Sequence, residues 1–294
     1  MRVAVSGATG LIGSRLVAEL RSVGHEAVTI SRRPGVDTIV WDPDRGVLAD
    51  GAIDGFDAVV NLAGEPIGAK RWTTEQKRRI VDSRVRSTEL LVDAMARSSR
   101  PPTRFLSGSA IGYYGDCGAQ VLTENSPAGS GFLADVVRRW EAAAAPTVEL
   151  GISTALLRTG IVLSAEGGAL KQQMLPFKLG LGGRSGNGRQ FQSWIHLDDH
   201  VRAIVWLLER PVAGPVNLTA PNPVTNAEFA STLASVLRRP CGVIPQFGPR
   251  LLFGPELADT LLLESQRVLP KKLDDDGFAF RFPELRSALT NLIR

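Results

Sequence analysis

The run Gly7-Ala-Thr-Gly-Leu-Ile-Gly13 constrains this chain more than any other segment. It follows a short β-rich stretch, Arg2–Ser6. It precedes Leu11–Val23, whose apolar residues at 12, 16, 17, 20 and 23 mark one face of a helix. A strand that enters a helix through glycines three residues apart must turn tightly and bring its backbone close to something else. The first glycine permits the turn. The second lets a pyrophosphate approach the backbone, and the third lets the helix pack on the strand. The helix start then faces the phosphates with free N–H groups and the positive end of its dipole. Gly24 and His25 close the helix, and Glu26–Ile30 reads as a second strand. The unit is βαβ, so the two strands are expected to be parallel.

The alternation continues. Asp57–Leu62 reads as a buried strand, Thr73–Met95 as a helix capped by Thr73 or Thr74, and Arg104–Ser109 as a strand. Phe132–Ala145 is helical up to Pro146, and Ser153–Arg158 is a strand. The five strands named, alternating with helices over about residues 1–165, predict an α/β fold of Rossmann type, a doubly wound parallel sheet that binds a dinucleotide. After Gly160 the chain becomes irregular. Phe191–His196 and Gly214–Leu218 read as strands, and Asp198–Leu208 and Thr225–Leu237 as helices, the last with a Thr225/Glu228 capping box. Residues 191–220 are expected to return to the first domain. Residues 166–294 should form a smaller C-terminal substrate-binding lobe. Its tail, Pro245–Arg294, is broken by prolines into short helices. Leu251, Leu252, Phe253, Leu257, Leu261, Leu262 and Leu263 are expected to pack this tail over a pocket between the lobes.

Composition narrows the setting. With 44% apolar and 22% charged residues over 294 positions, the chain has the make-up of a globular protein. No apolar run approaches the ~18–20 residues of a membrane span. Glycines interrupt the N-terminus, which argues against a secretory signal. Two cysteines, Cys117 and Cys241, make no disulfide framework, so a cytoplasmic setting is expected. The net charge of +4 permits nucleic-acid binding without requiring it. The partners expected are a small molecule, with neither nucleic acid nor membrane, and a monomer or homodimer. No Cys/His cluster has metal-ligand spacing, so no metal is expected. No lysine follows the glycine turn, which excludes a P-loop.

The end of the second strand selects the nucleotide. An NAD site would carry an acid there to bind the ribose 2′-hydroxyl. This chain has Ser31, Arg32 and Arg33 instead. Two guanidiniums and a hydroxyl suit a 2′-phosphate, so NADP(H) is the expected cofactor. The cradle is assigned to Gly7, Thr9, Gly10, Leu11, Ile12 and Gly13.

Five segments together carry a resemblance: GATGLIG at the turn, NLAGE at 61–65, SGSAIGYYG at 107–115, LLRTGIVLS at 156–164 and WIHLDDH at 194–200. In that order they resemble the extended short-chain dehydrogenase/reductase superfamily, near its nucleoside-diphosphate-sugar epimerases. The runs SRRPG at 31–35, RW at 71–72, SR at 83–84, RQFQSWIH at 189–196, NLTAPNPVTNAEFA at 217–230 and QRVLPKKL at 266–273 narrow it to the atypical branch described as epimerase family proteins. The resemblance implies that Leu62, Ala63 and Gly64 lie along the cofactor's pyrophosphate and ribose, with Glu65 nearby, and that Arg84 reaches back to the nucleotide. It implies that Ser107 and Ser109 stand beside the nicotinamide, Ser109 matching the serine or threonine that binds the reacting oxygen.

One departure is decisive for mechanism. The superfamily's proton-transfer pair is Tyr-x-x-x-Lys, yet the only tyrosines are Tyr113 and Tyr114, and four residues beyond them stand Cys117 and Gly118. At the expected place the chain has Phe132 and Val136, neither of which can carry a proton. The residues left as candidates for catalysis are Ser109, Tyr113 and Tyr114. A tyrosine without the lysine keeps a pKa near ~10 and can act as an acid rather than a base. His196 reads as a structural histidine, and Asp198-Asp199 as the acidic start of a helix. Two functions follow. One is an NADPH-dependent, epimerase-like oxidoreductase with a non-standard proton donor; the other is a non-catalytic NADP(H)-binding regulator or sensor.

Overall fold

The computed structural model describes residues 1–245 and 247–293; Gln246 and Arg294, both within the expected helical tail, lie outside the described residues. The opening βαβ unit forms as its pattern predicts. β1 (Arg2–Ser6) runs parallel to β2 (Glu26–Ser31), with α1 (Leu11–Ser22) between them. Residues 34–56, where the sequence pattern predicts no element, add β3 (Thr38–Asp42) and β4 (Val47–Leu48). These are short, half-exposed edge strands with little apolar alternation to announce them. On the other side of β1 lie β5 (Ala58–Asn61), β6 (Arg104–Ala110), the strand Ser153–Thr159 and the strand Gly214–Leu218. All eight pair in parallel except β4, which is antiparallel to β3. The chain therefore winds outward in both directions from β1, and the reversal between β1 and β5 opens a crevice at the carboxyl ends of the strands.

The period-two pattern of each strand decides which helices cover it. Val3 and Val5 of β1, with Ala58 and Val60 of β5, pack against Leu16 and Leu20 of α1 and Ile204 and Leu207 of α5 (Leu197–Leu208). Ala4 and Val59 point the other way, toward Leu91 and Met95 of α2 (Thr74–Arg97). A third core forms the second lobe. Trp194, Leu170 of α4 (Gly168–Lys178), Phe229 and Leu233 of α6 (Asn226–Leu237) and Leu289 of α10 (Leu285–Ile293) meet there. The segment 191–220 reaches the large sheet through α5 and Gly214–Leu218. Its other strands pair elsewhere, Phe191–Gln192 with Val224–Thr225 and Trp194–His196 with Ile161–Leu163. Among the described residues no helix is long and apolar enough to cross a membrane.

The tail forms short helices, α7 (Phe247–Phe253), α8 (Pro255–Leu263), α9 (Lys271–Asp275) and α10. Its packing corrects the sequence expectation. Of the seven residues expected to supply apolar faces, only Leu257 is buried, while Leu251, Leu252 and Leu261 are exposed. The prolines cut the helices too short for a continuous stripe, and α7 buries none of its residues. Polar ties hold the α7–α8 hairpin instead. Arg71 donates to the carbonyls of Leu251 and Leu252, at the end of α7, and Lys77 pairs with Glu256 at 2.5 Å. This ties the hairpin to the start of α2.

Two histidines brace the junction of the lobes in neutral form. The Nδ1 of His196 accepts from the Asp198 N–H at 3.0 Å and caps α5, so its proton sits on Nε2, which meets Asn291 Oδ1 at 3.1 Å. Its ring stacks on Phe282. His200 is fully buried, with Nε2 3.0 Å from Thr159 Oγ1. Burial disfavours imidazolium at both sites, lowering the pKa of His196 and pushing that of His200 down to about 3. The unfolded chain binds these protons near pH ~6.5. Stability from this source is therefore full above that value and is lost as pH falls toward the folded values. The expected slope is up to ~1.4 kcal/mol per pH unit for each histidine. Urea unfolding at a series of pH values from 7 down to 4 should show His200→Gln losing less stability on acidification than the parent protein; parallel curves would refute this.

Candidate functional site

The turn after β1 is built by close approach. Gly7 has φ +68°, and a Cβ there would lie 2.6 Å from the carbonyl carbon of Leu62. A Cβ on Gly13 would lie 2.2 Å from the Gly7 oxygen, so any side chain would push α1 away from the turn. Gly10 is the N-cap of α1 and has no side chain to offer. Among the described residues, the backbone bonds of this turn are Gly10 N–H to Gly7 O and Ser14 N–H to Gly10 O. The N–H groups of Leu11, Ile12 and Gly13 therefore open toward the crevice, as expected of the first turn of a helix. No acidic residue stands in that turn. Thr9 and Gly10 are exposed beside it. Donors, helix dipole and absent carboxylates together make an anion cradle.

A buried network fixes the facing wall. Ser6 Oγ donates to Asn61 Oδ1 at 2.6 Å, and Asn61 Nδ2 donates to Thr88 Oγ1 at 2.9 Å. Trp140 Nε1 donates to the same threonine at 3.1 Å, and Thr88 donates onward to the Arg84 carbonyl. The ends of β1 and β5 are thereby locked to α2 and to α3 (Phe132–Ala144). β5 stops at Asn61, so Leu62, Ala63, Gly64 and Glu65 form the loop just beyond it. That loop is tied down in turn. Ser83 Oγ accepts from the Glu65 N–H, and Arg84 donates to the Glu65 carbonyl at 3.0 Å. A Cβ on Gly64 would sit 3.2 Å from the Arg84 guanidinium carbon. Burial brings the Arg84 pKa down to about 10, against the nearby Glu65 charge. Arg84 thus reaches back to the loop backbone. At the end of β2, Ser31 Oγ accepts from the Arg33 N–H, and both Arg32 and Arg33 are exposed, without an ion pair among the described residues.

The three candidates for catalysis sit on one continuous network. Ser107 and Ser109 lie on the same face of β6 near its end, both buried. Ser109 Oγ donates to Glu141 Oε1 of α3 at 2.6 Å. Arg158 grips Glu141 with two bonds, Nε to Oε1 at 2.9 Å and Nη2 to Oε2 at 3.0 Å. Burial opposes the Arg158 charge, but the Glu141 carboxylate outweighs it and raises the pKa above the ordinary arginine value. Arg158 Nη1 also donates to the Tyr114 hydroxyl at 3.0 Å, and that hydroxyl donates to Asn217 Oδ1 at 2.7 Å. Tyr114 has no solvent exposure, and burial raises its pKa. Tyr113 is partly open, with the Arg158 guanidinium 3.5 Å from the centre of its ring.

Phe132, Val136 and Trp140 recur every four residues along α3. Phe132 meets the Trp72 ring at 4.8 Å, with Lys77 Nζ 5.0 Å from its centre. Val136 is buried. Trp140 lies so close on β6 that a Cβ at Gly108 would come within 2.5 Å of it. These three residues give α3 an apolar seam.

Sequence reasoning missed Glu141, Arg158 and Asn217. Arg158 carried a usable signal, since an arginine in an otherwise apolar strand must be buried and so needs a counter-ion. Glu141 looks no different in sequence from the exposed Asp135 on the same helix.

The comparisons with known proteins agree with this geometry. Residues 3–219 match the family model described as the NAD dependent epimerase/dehydratase family. The chain belongs to that family. Residues 244–292 match a second model, a domain of unknown function. The chain is 42% identical to epimerase family protein Mb2239 of Mycobacterium bovis, over 98% of this chain and 96% of that one. It is 38% identical to epimerase family protein SDR39U1 of Homo sapiens over the full length of both. A crystal structure of the human protein, isoform 2, with NADPH superposes with a TM-score of 0.91 at 37% identity, covering 99% of each chain. The Rossmann-type fold is thus shared with the human protein.

The Glu141–Arg158 pair predicts a specific sensitivity. Glu141→Ala leaves a buried guanidinium without its counter-ion and should cost ~3–5 kcal/mol of unfolding free energy. Tyr114→Phe, which orphans one bond of Asn217, should cost ~1–3 kcal/mol. Urea unfolding checks both; a loss below ~1 kcal/mol for Glu141→Ala would mean that the pair does not hold the site together.

Proposed function

We propose that this protein binds NADP(H) across the carboxyl edge of its sheet and acts as an NADPH-dependent oxidoreductase of the epimerase family. The observation that carries this reading is the start of α1. Its N–H groups at 11, 12 and 13 have no protein partner among the described residues, in a first turn without an acidic residue, behind glycines that admit no side chain. Leu62–Glu65 forms the opposite wall. Arg32 and Arg33 supply the charge for a 2′-phosphate, and the NADPH named with the human relative supports that choice. Ser107 and Ser109 are the groups this reading sets nearest the reacting end of the cofactor.

When bound, NADPH supplies a hydride. The protein must then orient the acceptor, exclude water and provide a proton. Ser109 already donates its single hydroxyl proton to Glu141, so it presents lone pairs to a substrate and serves as an acceptor that positions a donor group. The Tyr114 proton is held by Asn217, and its hydroxyl is closed off from solvent. Tyr113 is the remaining acid. Its hydroxyl makes no hydrogen bond among the described residues, and the Arg158 guanidinium lies over its ring.

A second reading, a non-catalytic NADP(H)-binding regulator, is favoured by one observation. Phe132 and Val136 fill the positions of the proton-transfer pair with packed apolar side chains.

Calorimetry tests the cofactor choice. NADPH should bind more tightly than NADH, and Arg32→Ala should lose ~1.5–3 kcal/mol, roughly 10–150-fold, on NADPH alone. Equal affinities for the two cofactors would refute the assignment. Single-turnover NADPH oxidation across a carbonyl panel tests the chemistry, and Tyr113→Phe should slow it by ~10²-fold or more. Tight NADPH binding with no oxidation by any carbonyl would favour the regulator.

A further inference from the structure

We propose that the exposed face formed by the ends of α4 and α6, the strand Gly242–Ile244 and α7 docks this protein on an anionic lipid surface. That face draws on two segments of sequence, 167–197 and 229–255, the described part of the second being 229–245 and 247–255. Together they contain seven arginines and lysines and no aspartate or glutamate. Of these cations, Lys178, Arg238 and Arg239 stand at the face itself.

The two segments meet in space. Gly183–Ser185 pairs in parallel with Gly242–Ile244, and Gly242 N–H donates to the Gly182 carbonyl at 2.9 Å. A Cβ on Gly180 would touch Pro240 at 3.7 Å. The carboxyl ends of α4 and α6 therefore come together at one seam. Lys178 occupies the last turn of α4, and Arg238 and Arg239 follow α6; all three are exposed. Their neighbours at the seam are aliphatic and unusually open. Leu179 is 66% exposed, Leu181 74% and Val243 56%. α7 continues the face with Phe247 and Leu251, each 75% exposed.

The acids bordering this face are occupied or distant. Asp259 is gripped by Arg250 through two bonds, which removes Arg250 from the free cations as well. Glu228 sits in the capping box at the opposite end of α6 from Arg238. Glu166 precedes the start of α4, away from Lys178.

Charge and chemistry choose the occupant. A second copy docked on the same face would set these cations against themselves. A single-strand nucleic-acid groove would offer a row of stacking rings, whereas this face has one, Phe247, among the open aliphatic side chains of Leu179, Leu181, Val243 and Leu251. An anionic bilayer meets both features, with headgroups for the cations and an acyl boundary for the aliphatic side chains. The sequence expectation of no membrane partner rested on the missing apolar span, which bears on insertion and not on surface docking.

Sedimentation of the full chain with vesicles tests the proposal. Vesicles of phosphatidylcholine with about 30% phosphatidylglycerol should carry down at least about five-fold more protein than pure phosphatidylcholine, and about 0.5 M NaCl should release it. Leu179→Asp with Leu181→Asp, and separately Lys178→Glu with Arg238→Glu and Arg239→Glu, should each lower binding about five-fold while thermal melting and NADPH affinity stay as in the parent. Three results would overturn it. One is equal sedimentation with both vesicle types. Another is a solution dimer dissolved by the leucine variant, which would make a second copy the occupant. The last is a gel-shifted DNA or RNA complex lost only in the charge variant, with no vesicle binding.

Discussion

The contact between Gly13 and Gly7 is the constraint on which the rest of the structure depends. Within 2.2 Å of the Gly7 oxygen there is no room for a Cβ, so α1 leaves the turn at the one angle that lays Leu16 and Leu20 on the sheet. The same approach leaves the first N–H groups of α1 without partners and aims them into the crevice between β1 and β5. Packing and binding thus impose the same residue at the same place. A larger residue at 13 would disturb the core and the cradle together.

Two buried polar systems then give the crevice fixed walls. The Ser6–Asn61–Thr88–Trp140 network is neutral, and its hydrogen bonds offset the cost of desolvating these groups while fixing their geometry. The Glu141–Arg158 system is ionic. It reaches from α3 across the strand Ser153–Thr159 to Asn217, whose N–H is accepted by Glu124, and Glu124 in turn accepts from the Lys272 N–H at the start of α9. A charged chain therefore runs from the site's serine to the C-terminal tail. The ion pair sets the direction of the Ser109 and Tyr114 hydroxyls.

The sequence was legible where a single local pattern decides the structure. Gly7, Gly10 and Gly13 between a strand and a helix, Thr73 and Thr225 as caps, and apolar alternation in β1 and β5 all behave as their patterns require. The segment 34–56 was not legible, because β3 and β4 are short edge strands with half-exposed side chains. Leu251 and Leu252 were misread for a related reason. Hydrophobicity alone suggested burial, but α7 is too short and too isolated to find a partner surface. Glu141 was invisible because an ion pair formed across seventeen residues and two elements leaves no spacing rule. Arg158 could have been found, being an arginine in a strand that otherwise runs through the core.

The central claim is that the free N–H groups at the start of α1 are where the cofactor's phosphates are held. Amide hydrogen exchange with and without NADPH measures this directly. The account predicts that the amides of Leu11, Ile12 and Gly13 become strongly protected when NADPH binds, while the exposed face of α7 exchanges at the same rate in both states. Saturating NADPH binding, seen by calorimetry, with unchanged exchange at residues 11–13 would contradict it.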